Sequence, residues 1–183
     1  MTLRVSWTPT PPAVIRQALQ LAKVSHKDTL YDLGCGTGGV LLIATKEFGA
    51  KKAIGYENSK ERYDLAIRRA RRERLRNRIS IINRDLLDAD LTEASVIFIY
   101  LSDKGNGLLR KKFEQECNGG VRIVSHRFKM NPWPIIGTCG EEYTFQTYLY
   151  KIPGKKAQHT DYRRLNQDGQ NRNRAIKPFR KTI

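Results

Sequence analysis

The stretch Tyr31-Asp32-Leu33-Gly34-Cys35-Gly36-Thr37-Gly38 decides how the rest of the chain is read. Thr29 to Leu33 has the length and character of a buried strand, and it runs straight into glycines at alternate positions. Glycine adopts left-handed dihedrals without steric cost and lets a ligand touch the main chain. The apolar segment Val40 to Phe48 then reads as a helix closed by Gly49. Free N–H groups at such a helix start point at whatever the turn holds. Strand, glycine turn and helix together predict a nucleotide-type ligand site.

Strand and helix alternate on both sides of this stretch. Upstream, Thr10 is the expected N-cap and Pro11 the first helical residue, where a missing N–H is harmless. Val14, Ile15, Ala18, Leu19, Leu21 and Ala22 recur at helical spacing through Lys23. Downstream, strands are expected at Ala53 to Tyr56, Ile79 to Ile82, Ser95 to Tyr100 and Val121 to Phe128. Helices are expected at Lys60 to Leu75 and Gly107 to Glu116, the latter stopped by Asn118-Gly119-Gly120. Tyr143 to Ile152 alternates aromatic and polar residues and reads as a last, antiparallel strand. The expected fold is α/β, a mostly parallel twisted sheet with helices on both faces. Ligands in such sheets bind beyond the carboxyl ends of the strands. The glycine turn, Glu57, Asp85 and Tyr100 to Asp103 all converge there.

The chain has 183 residues, 39% of them hydrophobic, which suits one domain with a core. Residues 1–152 carry the alternating elements, and residues 153–183 read as a flexible basic tail. From Lys151 onward there are ten Lys or Arg against two Asp. Cys35, Cys117 and Cys139 are widely spaced with no CxxC, which argues against a disulfide framework or a zinc cluster and predicts no metal. Met1 to Pro12 has no apolar run, and the longest apolar stretch, Val96 to Leu101, is too short to span a bilayer. A cytoplasmic protein is expected.

Gly34-Cys35-Gly36-Thr37-Gly38-Gly39 matches GxGxxG by letter, and Glu57 lies where a ribose-binding acid belongs. That pattern alone admits NAD or NADP. Three features favour S-adenosylmethionine. Asp32, two residues before Gly34, is unhelpful beside a pyrophosphate but suits a ligand bearing an ammonium group. Asp85, after the third strand, is placed to accept from an adenine amino group, with Leu86 packing on the ring. Five strands fit within about 150 residues, leaving no room for a separate substrate domain.

Asp32-Leu33-Gly34-Cys35-Gly36-Thr37-Gly38, with Glu57 and Asp85, resembles the class I S-adenosylmethionine-dependent methyltransferases. The resemblance covers Leu21 to Ile152 and implies a Rossmann-like methyltransferase fold. It implies cofactor contacts from Asp32, Gly34, Cys35, Gly36, Gly38, Glu57, Asn58, Asp85, Leu86 and Tyr100. Finer signals occur in order: Trp7-Thr8-Pro9-Thr10-Pro11, Val124-Ser125-His126-Arg127-Phe128, Trp133 and Tyr148-Leu149-Tyr150. Together these are similar to the small archaeal protein-lysine methyltransferases and their mitochondrial relatives. In that family the Pro-Thr-Pro segment helps close the cofactor site, which implies Thr8 and Thr10. Arg127 departs from the acid expected at its position.

A neutral lysine amine needs a narrow aromatic channel, and Tyr100, Trp133, Phe128 and Tyr148 are the candidates. His126 is a candidate proton relay and Ser125 a candidate partner. The fourth strand ends Ile99-Tyr100-Leu101-Ser102-Asp103, without the Asn-Pro-Pro-Tyr pattern of base-amino methyltransferases. Asn131-Pro132-Trp133-Pro134 resembles that pattern but follows the fifth strand. A formal net charge of +16 predicts attraction to polyanions. Arg68, Arg69, Arg71, Arg72, Arg74, Arg76 and Arg78 form a dense cluster, with Arg68, Arg72 and Arg76 expected on one helical face. The expected partner is an acidic protein or nucleoprotein substrate, or RNA held through its phosphates.

Overall fold

The computed structural model describes residues 8–141 and 146–153. The described helices are α1 (Pro12–Leu21), α2 (Gly39–Lys46), α3 (Lys60–Arg72) and α4 (Asp103–Glu116). The strands are β1 (Thr29–Leu33), β2 (Lys52–Tyr56), β3 (Ile79–Ile82), β4 (Val96–Ile99), β5 (Arg122–His126), β6 (Gly137–Cys139) and β7 (Thr147–Lys151). They form one sheet in the order β3-β2-β1-β4-β5-β7-β6. β1 to β5 run parallel, and β7 pairs antiparallel with β5 and β6. The order reverses between β1 and β4, which opens a crevice at their carboxyl ends.

Side chains alternate across the sheet, so each central strand feeds two cores. Leu30, Val96, Phe98 and Val124 face Ile15, Leu19, Val40 and Leu41 of α1 and α2. Leu33, Ile97, Ile99 and Ile123 face Leu109 and Phe113 of α4. Burial on both faces explains why β4 reads as an unbroken apolar run. At the opposite end of the sheet Asp28 joins β1 to β5 by accepting from Ser95 Oγ at 2.7 Å and pairing with Arg122. That carboxyl is held below its usual range: burial opposes ionisation, while Ser95, Ser25 and Arg122 together outweigh it.

Several boundaries differ from the sequence expectation for local reasons. α1 starts one residue late: Pro11 occupies the cap position, Pro12 opens the helix, and Thr10 makes no cap bond. α4 starts earlier, at Asp103, because Ser102 Oγ accepts from the Gly105 N–H at 3.1 Å. Gly105 and Gly107 therefore lie inside the helix despite their poor propensity. α3 ends at Arg72, and Arg74 follows with φ +56, so Arg76 leaves the face expected to carry Arg68 and Arg72. β6, a three-residue strand without apolar alternation, gave no signal in the sequence. The expected beginning of the last strand, Tyr143 to Phe145, and the tail from Gly154 lie outside the described residues.

Gly55 on β2 marks a close approach. A Cβ there would lie 2.6 Å from both Cys35 Sγ and Leu41 Cδ1. Gly55→Ala is expected to destabilise the protein by about 1–3 kcal/mol through overpacking, read as a lower midpoint in thermal or urea denaturation.

Candidate functional site

The glycine turn is a small irregular loop held from three sides. Gly34, Gly36 and Gly38 have φ of +93, +54 and +79, the region where side chains are strained. The Gly34 and Cys35 N–H groups both donate to Tyr56 O at 2.9 Å, fastening the loop to the end of β2. The Gly36 N–H donates to Glu57 Oε2 at 2.9 Å. Arg69 of α3 donates through one nitrogen to Thr37 O at 2.8 Å and Thr37 Oγ1 at 3.0 Å.

Glu57 is buried and committed on both oxygens. Its Oε1 accepts from the Ser59 N–H and from Arg62, each at 2.8 Å. Ser59 in turn caps α3. Beside Glu57, Asp32 lies at the end of β1, also buried, facing the same cavity. Burial and the neighbouring Glu57 charge push the Asp32 carboxyl up to about 8. Such a carboxyl is neutral at pH 7 until a cation arrives beside it.

The cavity at these strand ends holds about 690 Å³. Asp32, Gly34, Cys35, Glu57, Asn58, Asp85, Leu86 and Tyr100 all line it, as do Thr8 and Thr10. Gly36 and Gly38 do not; Thr37 and Gly39 line it in their place. Gly36 turns its N–H to Glu57, and Gly38 packs against Ala66. Asp85 also caps the short 3-10 turn Leu86–Asp88, accepting from the Leu87 N–H at 2.9 Å. Asn83 anchors that segment by donating to Glu57 O at 2.8 Å.

The aromatic candidates divide. Tyr100 and Phe128 line the cavity and stack with centroids 6.4 Å apart. Tyr100 and Phe128 are therefore walls of the site. Trp133 is not: it is buried between Phe113 and Tyr150, and its indole N–H donates to Glu114. Tyr148 is buried under Lys129 and also lies outside the lining. Ser125 is fully buried, donating to Phe128 O at 2.5 Å. His126 lies behind Tyr100, edge-on at 4.7 Å, with Nδ1 against Thr147 Oγ1 at 2.9 Å. Burial and the Arg127 charge lower it to about 4, so it is neutral at pH 7. His126 is itself outside the described lining and reaches the cavity only through Tyr100.

Three residues that the sequence did not place at the cavity also line it: Arg62, Arg69 and Arg127. Arg62, Ala66, Arg69 and Ala70 share one helical face, and the two alanines were the available sign that this face is buried. Arg69 and Arg78 were assigned to a polyanion-binding cluster. The structure uses Arg69 on the glycine turn and Arg78 on the carbonyls of Thr45 and Ala50, at 3.2 and 2.6 Å. Arg127 lines the cavity mouth and donates to the Tyr100 hydroxyl at 3.1 Å. Among the described residues no cluster of ligands suits a metal, and no helix is long and apolar enough to cross a membrane.

The ANTKMT methyltransferase domain matches residues 32–136. A protein-lysine N-methyltransferase of Saccharolobus islandicus (strain REY15A) is 37% identical over 151 residues, covering 81% of this chain and 94% of that one. The adenine nucleotide translocase lysine N-methyltransferase of Mus musculus is 26% identical over 154 residues, covering 84% of this chain and 66% of that one. A crystal structure of an RNA methyltransferase from Salinibacter ruber, in complex with S-adenosyl-L-homocysteine, superposes with a TM-score of 0.76 at 32% identity, covering 80% and 94% of the two chains.

Asp32 links this site to stability. The carboxyl ionises near 3.8 in an unfolded chain and near 8 in the fold. The unfolded state therefore gains from ionisation first, and this contribution to stability is full below pH 3.8 and lost as pH rises towards 8. Asp32→Asn is expected to raise the ligand-free melting temperature, by an amount that grows between pH 5 and pH 8. A difference that does not change with pH would contradict the raised carboxyl.

Proposed function

We infer the function from one premise: the chain belongs to the ANTKMT methyltransferase domain family. It is a methyltransferase, and its cofactor is S-adenosyl-L-methionine. The acceptor we assign is a protein lysine. The observation that carries this is the 37% identity to the Saccharolobus enzyme across 94% of that relative's length.

The residues of the cavity suit the cofactor. A buried carboxyl raised to about 8 beside a second acid calls for a positive neighbour, and the cofactor carries an ammonium and a sulfonium. In our reading Asp32 pairs with the ammonium, and the main chain of Gly34, Cys35, Gly36 and Gly38 shapes the surrounding turn. Glu57 and Asn58 face the ribose, while Asp85 and Leu86 hold the adenine. Thr8 and Thr10 cover the opening, and Tyr100 stands at the methyl end.

When bound, the cofactor supplies a methyl group already activated on sulfur, so the protein's task is alignment. A lysine must first shed a proton to solvent, at a cost of about 4–5 kcal/mol at pH 7. Among the described lining residues there is no histidine to take it. Tyr100 and Phe128 instead offer an aromatic rim that favours an uncharged amine stripped of water. The acceptor docks on a basic protein, so an acidic protein or nucleoprotein surface fits the charge.

A second reading, an RNA acceptor, draws on the Salinibacter ruber likeness and the +16 charge. Incubating the enzyme with cell extract and methyl-labelled cofactor, then digesting with protease or RNase, separates the two. Label released by protease and recovered as methyl-lysine is expected. Label released by RNase alone would overturn the lysine assignment.

The role of Asp32 has its own test. Calorimetric affinity for S-adenosylhomocysteine is expected to rise between pH 6 and pH 8, by up to about tenfold per pH step, because the ammonium needs the ionised carboxylate. Asp32→Asn is expected to weaken binding by about tenfold or more and to flatten this profile. A flat profile in the unaltered protein would place the ammonium elsewhere.

A further inference from the structure

The chain after β5 makes an abrupt hook. Arg127 has φ +67, a left-handed backbone that a side chain adopts at a cost. Its N–H donates to Gln146 O at 2.8 Å, and the Phe128 N–H folds back to His126 O at 2.9 Å. The hook delivers two side chains to the cavity mouth: the Arg127 guanidinium on the Tyr100 hydroxyl and the Phe128 ring against the Tyr100 ring. The mouth is thus assembled from two strand ends, with Tyr100 following β4 and Arg127-Phe128 following β5.

One buried amide ties the hook to the element that follows Tyr100. Asn106, in the first turns of α4 and 1% exposed, donates from Nδ2 to Ser125 Oγ at 2.9 Å, to Phe128 O at 3.0 Å and to Lys129 O at 3.3 Å. Ser125 Oγ relays the same restraint by donating to Phe128 O. The Asn106 Oδ1 is buried with no hydrogen-bond partner among the described residues. A buried unpaired oxygen is costly, and an apolar side chain of similar size would remove it only by leaving Ser125 Oγ and the Phe128 and Lys129 carbonyls without this donor. The amide that is present bears the cost of its oxygen and serves the hook.

We propose that Asn106 is a positioning residue for the methyl acceptor, setting through Ser125 the hook that aims Arg127 and Phe128 at Tyr100. The proposal rests on the reading above that the acceptor enters at this aromatic rim. It leaves the cofactor end untouched, because the glycine turn, Asp32 and Glu57 are held by β2 and α3 instead. It also gives Ser125, which lies outside the cavity, a role at one remove from the chemistry.

The test uses the full chain, with Asn106→Leu, Asn106→Ala and Phe128→Ala, and the acceptor that the unaltered enzyme labels. Asn106→Leu keeps the volume but removes, along with the unpaired oxygen, the donor shared by Ser125 Oγ and the Phe128 and Lys129 carbonyls, so its melting temperature is expected to fall while the protein stays folded at the assay temperature. Its affinity for S-adenosylhomocysteine is expected to stay within about twofold. Its KM for the acceptor is expected to rise about tenfold, with kcat falling in addition, since small misplacements at a reacting centre are expensive. A loss of folded fraction would not move KM. In a double-mutant cycle Asn106→Ala and Phe128→Ala are expected to be strongly non-additive, because the first acts through the second. Unchanged acceptor KM, additive effects, or a parallel loss of cofactor affinity would each overturn the proposal. If the unaltered enzyme labels RNA, the lysine reading fails, and the same kinetics on RNA decide the proposal by the same criteria. If it labels neither acceptor, both fail.

Discussion

The carboxylate of Glu57 on the Gly36 N–H is the contact on which the site depends. A turn with three positive-φ glycines has no intrinsic preference for one shape, and freezing it costs conformational entropy. The fold meets that cost with groups from its neighbours. Tyr56 O takes two N–H groups of the turn, Glu57 takes a third, and Arg69 reaches in from α3 to hold Thr37. Glu57 is itself locked by Arg62 and by the cap of α3. The second strand, the third helix and the turn therefore form one unit. Gly55 belongs to it as well, since only a hydrogen there leaves room for Cys35 and Leu41.

That unit also concentrates negative charge. Asp32 and Glu57 sit together in a buried pocket of a protein whose formal charge is +16. Glu57 keeps its partners, and the burden of the pairing falls on Asp32, whose carboxyl rises to about 8. A site made this way is less stable empty than it need be. The instability is what a cationic ligand relieves, so the same carboxyl that weakens the empty fold strengthens the loaded one. The arginines divide by the same logic. Arg62, Arg69 and Arg78 are spent on internal acceptors, whereas Arg68, Arg71, Arg72, Arg74 and Arg76 remain exposed. The exposed positive charge of this segment rests on the second group.

Most of the sheet and the cofactor end were legible in the sequence because both are local. Apolar runs of four or five residues marked β1 to β5, and Asp32, Glu57 and Asp85 stand at strand ends where a short motif reaches. What could not be read depended on packing between distant segments. Trp133 and Phe128 have similar aromatic character, and only the hook at Arg127 decides that Phe128 faces the cavity while Trp133 joins Phe113 and Tyr150 in the core. Arg69 and Arg68 are neighbours in sequence, yet a rotation of one residue around α3 makes one structural and the other exposed. Asn106 gave no sign at all, since its three acceptors are about twenty residues away. α4 was expected to open only at Gly107, and the cap at Ser102 starts it four residues earlier, across Gly105.

Two proteins similar to this chain carry different names: a protein-lysine enzyme at 37% identity and an RNA enzyme at 32%. In this chain one end of the cavity is built from the glycine turn and from carboxylates at β1 and β2. The other end is made where β4 and β5 end, with Arg127 donating to the Tyr100 hydroxyl and Asn106 tying the hook to α4. On the proposed lysine reading, acceptors are told apart by the shape and charge of Tyr100, Arg127 and Phe128. On that reading a change confined to the hook acts on the acceptor and leaves the unit around Glu57 intact, because the two are fastened by different elements.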